Sequence, residues 1–125
     1  MTAPRSVLIL KNDTLGDLVL LSPTLRALRE AWPQARLTVL IRRTYLEIAP
    51  SLAPNVDWLA TTLDPFAHGP DADAAELVRL RGAVAELAPD LVAAATSRRN
   101  WLDAALAAAV PAARRVVLGS DACRG

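Results

Sequence analysis

The sequence holds one cysteine, one histidine and one lysine, and aromatic residues make up only 4% of it. A lone cysteine, Cys123, cannot close an internal disulfide, so nothing points to an oxidising compartment. His68 has no cysteine or second histidine near it in sequence, and no Ser-His-Asp constellation can be assembled from the spacing; it reads as a surface loop residue without a role. Long apolar runs are also missing. Val7 to Leu10 is ended at once by Lys11-Asn12-Asp13, too short for the core of an export signal. The longest uncharged stretch, Ala104 to Ala113, falls well short of the ~20 residues that cross a bilayer. These absences put the expected location in the cytoplasm. Neither G-x-G-x-x-G nor G-x-x-x-x-G-K-[ST] occurs, which excludes a dinucleotide fingerprint and a P-loop. With 14 basic and 13 acidic residues the net charge is +1, no field for nucleic acid.

What is present describes one globular domain of 125 residues, 53% hydrophobic and 22% charged, with a core to bury. Ser6 to Leu10 is an apolar, β-branched run without alternation, as in a strand buried on both faces of a parallel sheet. From Thr14 to Ala31, Leu15, Leu18, Val19, Leu21, Leu25 and Leu28 recur at helical spacing, with Thr14 and Asp17 spaced as a capping-box-like pair. Pro23 lies inside that helix, which predicts either a kink or a second start with Ser22 as N-cap. Further strands are expected at Leu37 to Ile41, Val56 to Ala60, Leu91 to Ala95 and Arg115 to Leu118. Between them fall a short helical stretch from Tyr45 to Leu52, a loop from Thr61 to Pro70, a helix capped by Asp71 or Asp73 and ending before Pro89, and a helix from Trp101 to Val110. Strands alternating with helices imply right-handed βαβ units and a doubly wound α/β fold.

In open parallel sheets ligands bind beyond the carboxyl ends of the strands, so the residues after each strand are the informative ones. The first strand is followed by Lys11-Asn12-Asp13-Thr14-Leu15-Gly16-Asp17, the second by Arg42-Arg43, and the fourth by Thr96-Ser97-Arg98-Arg99-Asn100. Carboxylates and arginines therefore converge on one edge. An acid at a helix N-terminus is stabilised as the anion by backbone N-H groups, and Gly16 lets a ligand come close to the backbone. Asp17 is thus either a base or only a helix cap, and the arginines are either anion ligands or a solvated face. Asp71-Ala72-Asp73 has the form of a metal-binding D-x-D but sits at a helix start, where capping explains it better. Trp32, Trp58 and Trp101 fall within apolar periodicities and read as packing rather than a stacking platform; Trp101, directly after the basic edge, stays open.

The stretch Val7-Leu8-Ile9-Leu10-Lys11-Asn12-Asp13-Thr14-Leu15-Gly16-Asp17-Leu18-Val19-Leu20-Leu21-Ser22-Pro23-Thr24-Leu25-Arg26-Ala27-Leu28 closely resembles the opening of the lipopolysaccharide heptosyltransferases of glycosyltransferase family 9. The later strands, Ala35 to Arg42, Pro54 to Leu59 and Pro89 to Val92, look like that family's second to fourth, so the resemblance covers the N-terminal part of the family. In place of the family's small polar-glycine turn after the fourth strand stands Ser97-Arg98-Arg99-Asn100-Trp101.

The resemblance implies a GT-B architecture of two Rossmann-like domains, here an incomplete acceptor-side domain over residues 1–125 with the nucleotide-sugar domain absent. It implies inverting transfer of heptose from ADP-heptose to the lipopolysaccharide core, without a metal or other cofactor, and peripheral contact with the inner membrane through a lipid-linked acceptor. Asp17 would be the general base on the acceptor hydroxyl. Lys11, Asp13, Thr14, Gly16, Arg42, Arg98, Arg99 and Asn100 would meet the acidic acceptor. Two other readings stand beside it: a non-catalytic module binding an acidic glycan, phosphate or partner through Arg42, Arg43, Arg98 and Arg99, and a flavodoxin-like nucleotide binder lacking the usual glycines.

Overall fold

The computed structural model describes residues 3–96 and 98–117. Five parallel strands form one sheet: β1 (Ser6–Leu10), β2 (Arg36–Arg42), β3 (Asp57–Thr61), β4 (Leu91–Ala94) and β5 (Arg114–Val117), in the order β3-β2-β1-β4-β5. The chain winds outward from β1 to β3, then returns to the other side of β1 for β4 and β5. The order therefore reverses between β1 and β4, where the two crossovers leave a crevice at the carboxyl edge. Register is continuous across that point, Ile9 lying between Val39 and Ala93.

Helices cover both faces, as the unalternating strands require. Val7, Ile9, Val39, Ile41 and Ala93 pack toward α1 (Leu15–Ala31), which contributes Leu18, Leu21 and Leu25, and toward Ala49 of the short α2 (Ala49–Leu52). Leu8, Leu10, Leu40 and Val92 face the other way, against Leu80 and Val84 of α3 (Ala74–Leu87) and Leu102 and Leu106 of α4 (Trp101–Ala108). Each of these leucines contributes about 1.5–3 kcal/mol by leaving water, and the doubly wound α/β expectation is met. Among the described residues no helix is long and apolar enough to cross a membrane.

Boundary differences have local causes. Of the two outcomes open for Pro23, the second start does not occur: α1 is one helix that runs through it. Proline lacks the N-H that would bond the carbonyl of Val19, and the Ser22 hydroxyl donates to that same carbonyl at 2.9 Å. The stretch from Tyr45 to Leu52 is not one helix but a 3-10 turn at Arg43–Tyr45 followed by α2, because Pro50 removes an interior donor and suits only a helix's first turn. Asp73 rather than Asp71 caps α3, its Oδ1 accepting the Glu76 N-H at 3.1 Å. β3 begins one residue later than expected, β5 begins at Arg114, and α4 ends at Ala108. Leu118, Cys123 and Ser97 lie outside the described residues.

Candidate functional site

The turn between β1 and α1 is laced to its neighbours by buried polar bonds. The Lys11 N-H donates to the Leu40 carbonyl, and its ammonium donates to Asp13 Oδ2 at 3.1 Å and to the Ala95 carbonyl at 2.8 Å. The Asn12 N-H donates to Thr96 Oγ1, whose own proton goes to the Leu10 carbonyl at 3.1 Å. The Asn12 side chain reaches the carbonyl of Leu63. Lys11 and Asp13 are both buried, a desolvated pair whose first role is to tie the end of β1 to the end of β4. An acidic ligand at the surface would not reach the Lys11 ammonium directly.

Past this anchor the chain surfaces. Thr14 is the N-cap of α1 in extended conformation, but its side chain caps no backbone N-H; its hydroxyl donates instead to Asp17 Oδ2 at 2.7 Å. The capping-box spacing thus forms a side-chain pair, with Asp17 half-buried in the helix's first turn. Its other oxygen has no hydrogen-bond partner among the described residues. At Gly16 a Cβ would meet nothing within 4 Å, so the backbone beside Asp17 is open to a ligand.

The arginines divide into two groups. Arg42 is half-buried and paired with Asp64 at 3.2 Å, and Arg98 lies over the Phe66 ring at 4.5 Å from its centroid. Arg43 and Arg99 are exposed and make no ion pair among the described residues. Between Arg42–Thr44 and Thr61–Asp64 lies an open cavity of about 460 Å³. A second cavity of about 250 Å³ lies against α4 and β5, with Arg98, Arg99, Asn100 and Asp103 in its lining. Asn100 serves α4 as N-cap: its Oδ1 accepts the Asp103 N-H at 2.8 Å and its Nδ2 donates to Asp103 Oδ2 at 3.1 Å.

Several of these partners were not singled out in the sequence. The loop from Thr62 to Asp73 spans the edge, with Asp64 on Arg42, Phe66 under Arg98, and the Trp101 indole N-H donating to the His68 carbonyl at 2.7 Å. Trp101 is therefore a packing residue with a polar tether. Asp103 is the least expected. Burial pushes its carboxyl up to about 6, the Asp13 anion adds to the rise, and hydrogen bonds from Asn100 and Thr96 and the Lys11 charge oppose it. The Asn-x-x-Asp spacing after the fourth strand was its only signal. At the far side of the edge, the Arg79 hydrogen bond holds Glu76 down at about 2, against partial burial and with help from Thr61. Among the described residues no group of three or more His, Cys, Asp or Glu is placed to hold a metal.

No family model matches the chain, and no curated protein matches it. Among solved structures it is similar to the crystal structure of the glycosyl transferase family 9 from Veillonella parvula DSM 2008, with a TM-score of 0.63 and 21% identity. The superposition covers 88% of this chain and 31% of that one. The chain thus spans about a third of the length of the protein it matches, and the likeness is one of fold.

Proposed function

We propose that the chain is the acceptor-side part of an inverting glycosyltransferase with Asp17 as general base. The observation that carries this reading is the Asp17 carboxylate at the carboxyl edge of the sheet, one oxygen held by Thr14 and the other without a hydrogen-bond partner among the described residues, beside an open Gly16. The likeness of fold to a family 9 glycosyl transferase supports it, as does the Gly16-Asp17 motif itself.

In this reading an acceptor hydroxyl above Gly16 gives its proton to Asp17 while its oxygen bonds to the anomeric carbon of a nucleotide-sugar. The bond from that carbon to the diphosphate breaks on the opposite face, so configuration inverts and the nucleotide diphosphate leaves. The tethered turn beneath Asp17 fixes where it points. Exposed Arg43 and Arg99 meet acidic groups of the acceptor, while Arg42 and Arg98 first give up Asp64 and Phe66 or act through them. The donor is ADP-heptose and the acceptor a lipid-linked lipopolysaccharide core at the inner membrane, the substrates that the motif resemblance implies. A second α/β domain holds the donor.

The test is transfer of heptose from ADP-heptose to a lipopolysaccharide-core acceptor by the full-length protein, followed by mass spectrometry of the product. A heptosylated product with inverted configuration supports the proposal. Acceptor binding through Arg43 and Arg99 without transfer from any nucleotide-sugar moves the assignment to a non-catalytic glycan-binding module.

A further inference from the structure

Arg42 and Thr61 are register partners at the ends of β2 and β3, and beyond them opens the cavity of about 460 Å³ that Arg43, Thr44, Thr62 and Asp64 also line. The Thr61 hydroxyl is already engaged, donating to Glu76 and accepting the Leu63 N-H. Arg43, Thr44 and Thr62 are exposed. Arg42 is held incompletely. Its Nη2 donates to Asp64 Oδ1 at 3.2 Å, while its Nε is buried without a hydrogen-bond partner among the described residues. A carboxylate that met the guanidinium fork squarely would satisfy both donors. Asp64 Oδ1 is shared as well, accepting the Phe66 N-H at 3.0 Å.

We propose that Asp64 is a built-in competitor: it covers the place at Arg42 that a phosphate group of the ligand takes, in a phosphate subsite completed by Arg43, Thr44 and Thr62. A phosphate offers one oxygen to Nε and one to Nη2, the paired contact that Asp64 leaves unmade. Its remaining oxygens meet the Arg43 cation and the two hydroxyls. The loop that carries Asp64 does not depend on the pair. Its backbone is fastened by the Asn12 amide on the Leu63 carbonyl, by the Trp101 indole on the His68 carbonyl, and by the Asp64 N-H on His68 Nδ1. The Phe66 N-H remains for the Asp64 carboxylate. The exchange is therefore local, one anion for another at a half-buried cation. That the phosphate belongs to a sugar acceptor rests on the transferase reading; the exchange itself does not.

The test is equilibrium binding of inorganic phosphate to the full-length protein at neutral pH and an ionic strength of about 0.15 M, where charges at a distance are screened. Binding is read by NMR at the Arg42 Nε-H and at the backbone amides of Thr44 and Thr62. The expected result is a saturable shift of these resonances with one dissociation constant. Asp64→Asn, whose amide oxygen can still accept the Phe66 N-H, should tighten binding about 5-fold, the worth of a half-buried ion pair. Arg42→Lys keeps the charge but loses the fork, and should weaken it roughly 10-fold. Asp71→Asn removes a charge from the same loop without touching the pair, and should leave binding unchanged. Equal tightening in Asp71→Asn and Asp64→Asn, or weaker binding in Asp64→Asn, overturns the competitor role. An Arg42 Nε-H that does not respond to phosphate overturns the subsite, and the unsubstituted protein decides this even where no variant folds. Acetate that binds as tightly as phosphate overturns the assignment to phosphate. Phosphate exchange without sugar transfer leaves the subsite standing and strikes the transferase reading; transfer without exchange strikes the subsite alone.

Discussion

Two helices begin at the same edge of the sheet with a carboxylate three residues after the cap: Thr14 to Asp17 on α1 and Asn100 to Asp103 on α4. The spacing is identical and the outcomes are opposite. Thr14 donates its hydroxyl proton to its carboxylate, and its oxygen accepts no bond from the backbone. The Asn100 amide accepts from the Asp103 N-H and donates to the Asp103 carboxylate at once, which closes a complete cap. α1 leaves Asp17 partly exposed, whereas α4 buries Asp103. Local spacing fixes where a carboxylate sits on its helix; the layer above decides whether it serves chemistry or structure.

The largest effect expected from breaking this contrast lies in the anchor that both carboxylates border. Lys11→Met removes the buried ammonium that bonds Asp13 and the Ala95 carbonyl and should cost about 3–5 kcal/mol in urea denaturation. A loss below about 1 kcal/mol would mean that the pair is solvated.

Next comes the pH dependence of Asp103, whose folded value near 6 stands above the ordinary 3.8. Below both values the acid is protonated in either state and costs nothing. Between them the unfolded chain releases the proton that the folded chain keeps, so stability falls as pH rises, and above about 6 the full penalty of about 3 kcal/mol is present. Asp103→Asn should therefore raise the urea midpoint at pH 7 and leave it nearly unchanged at pH 4. A gain of equal size at both pH values would show that the effect is packing rather than charge.

The caps themselves give the smallest differences. Asn100→Ala should destabilise by about 1 kcal/mol because a backbone N-H loses its acceptor, while Thr14→Ala, which removes no such bond, should cost under about 0.5 kcal/mol. Equal costs in thermal denaturation would erase the distinction between the two helix starts.

The fold was readable because its strands are short apolar runs such as Val7 to Leu10, whose lack of alternation admits little but a two-sided sheet. The carboxyl-edge position of Asp17 followed from the same pattern. The burial of Lys11, which the resemblance set among the acceptor-facing residues, was not legible, because it depends on the carbonyl of Ala95, which sequence separation hides. Arg42 and Arg98 found Asp64 and Phe66 only because the loop after β3 folds back across the edge, and loop paths leave no periodic trace. Asp103 escaped notice for a related reason: one acid in an alanine-rich helix reads as exposed until the layer above it is known.

The measurement that bears most directly on the central claim is the rate of sugar transfer by full-length protein carrying Asp17→Asn, with acceptor binding measured in parallel. The account predicts a fall of about 100-fold or more with acceptor affinity retained, because the isosteric amide keeps the bond from Thr14 but cannot take a proton. Transfer at the unsubstituted rate would contradict it.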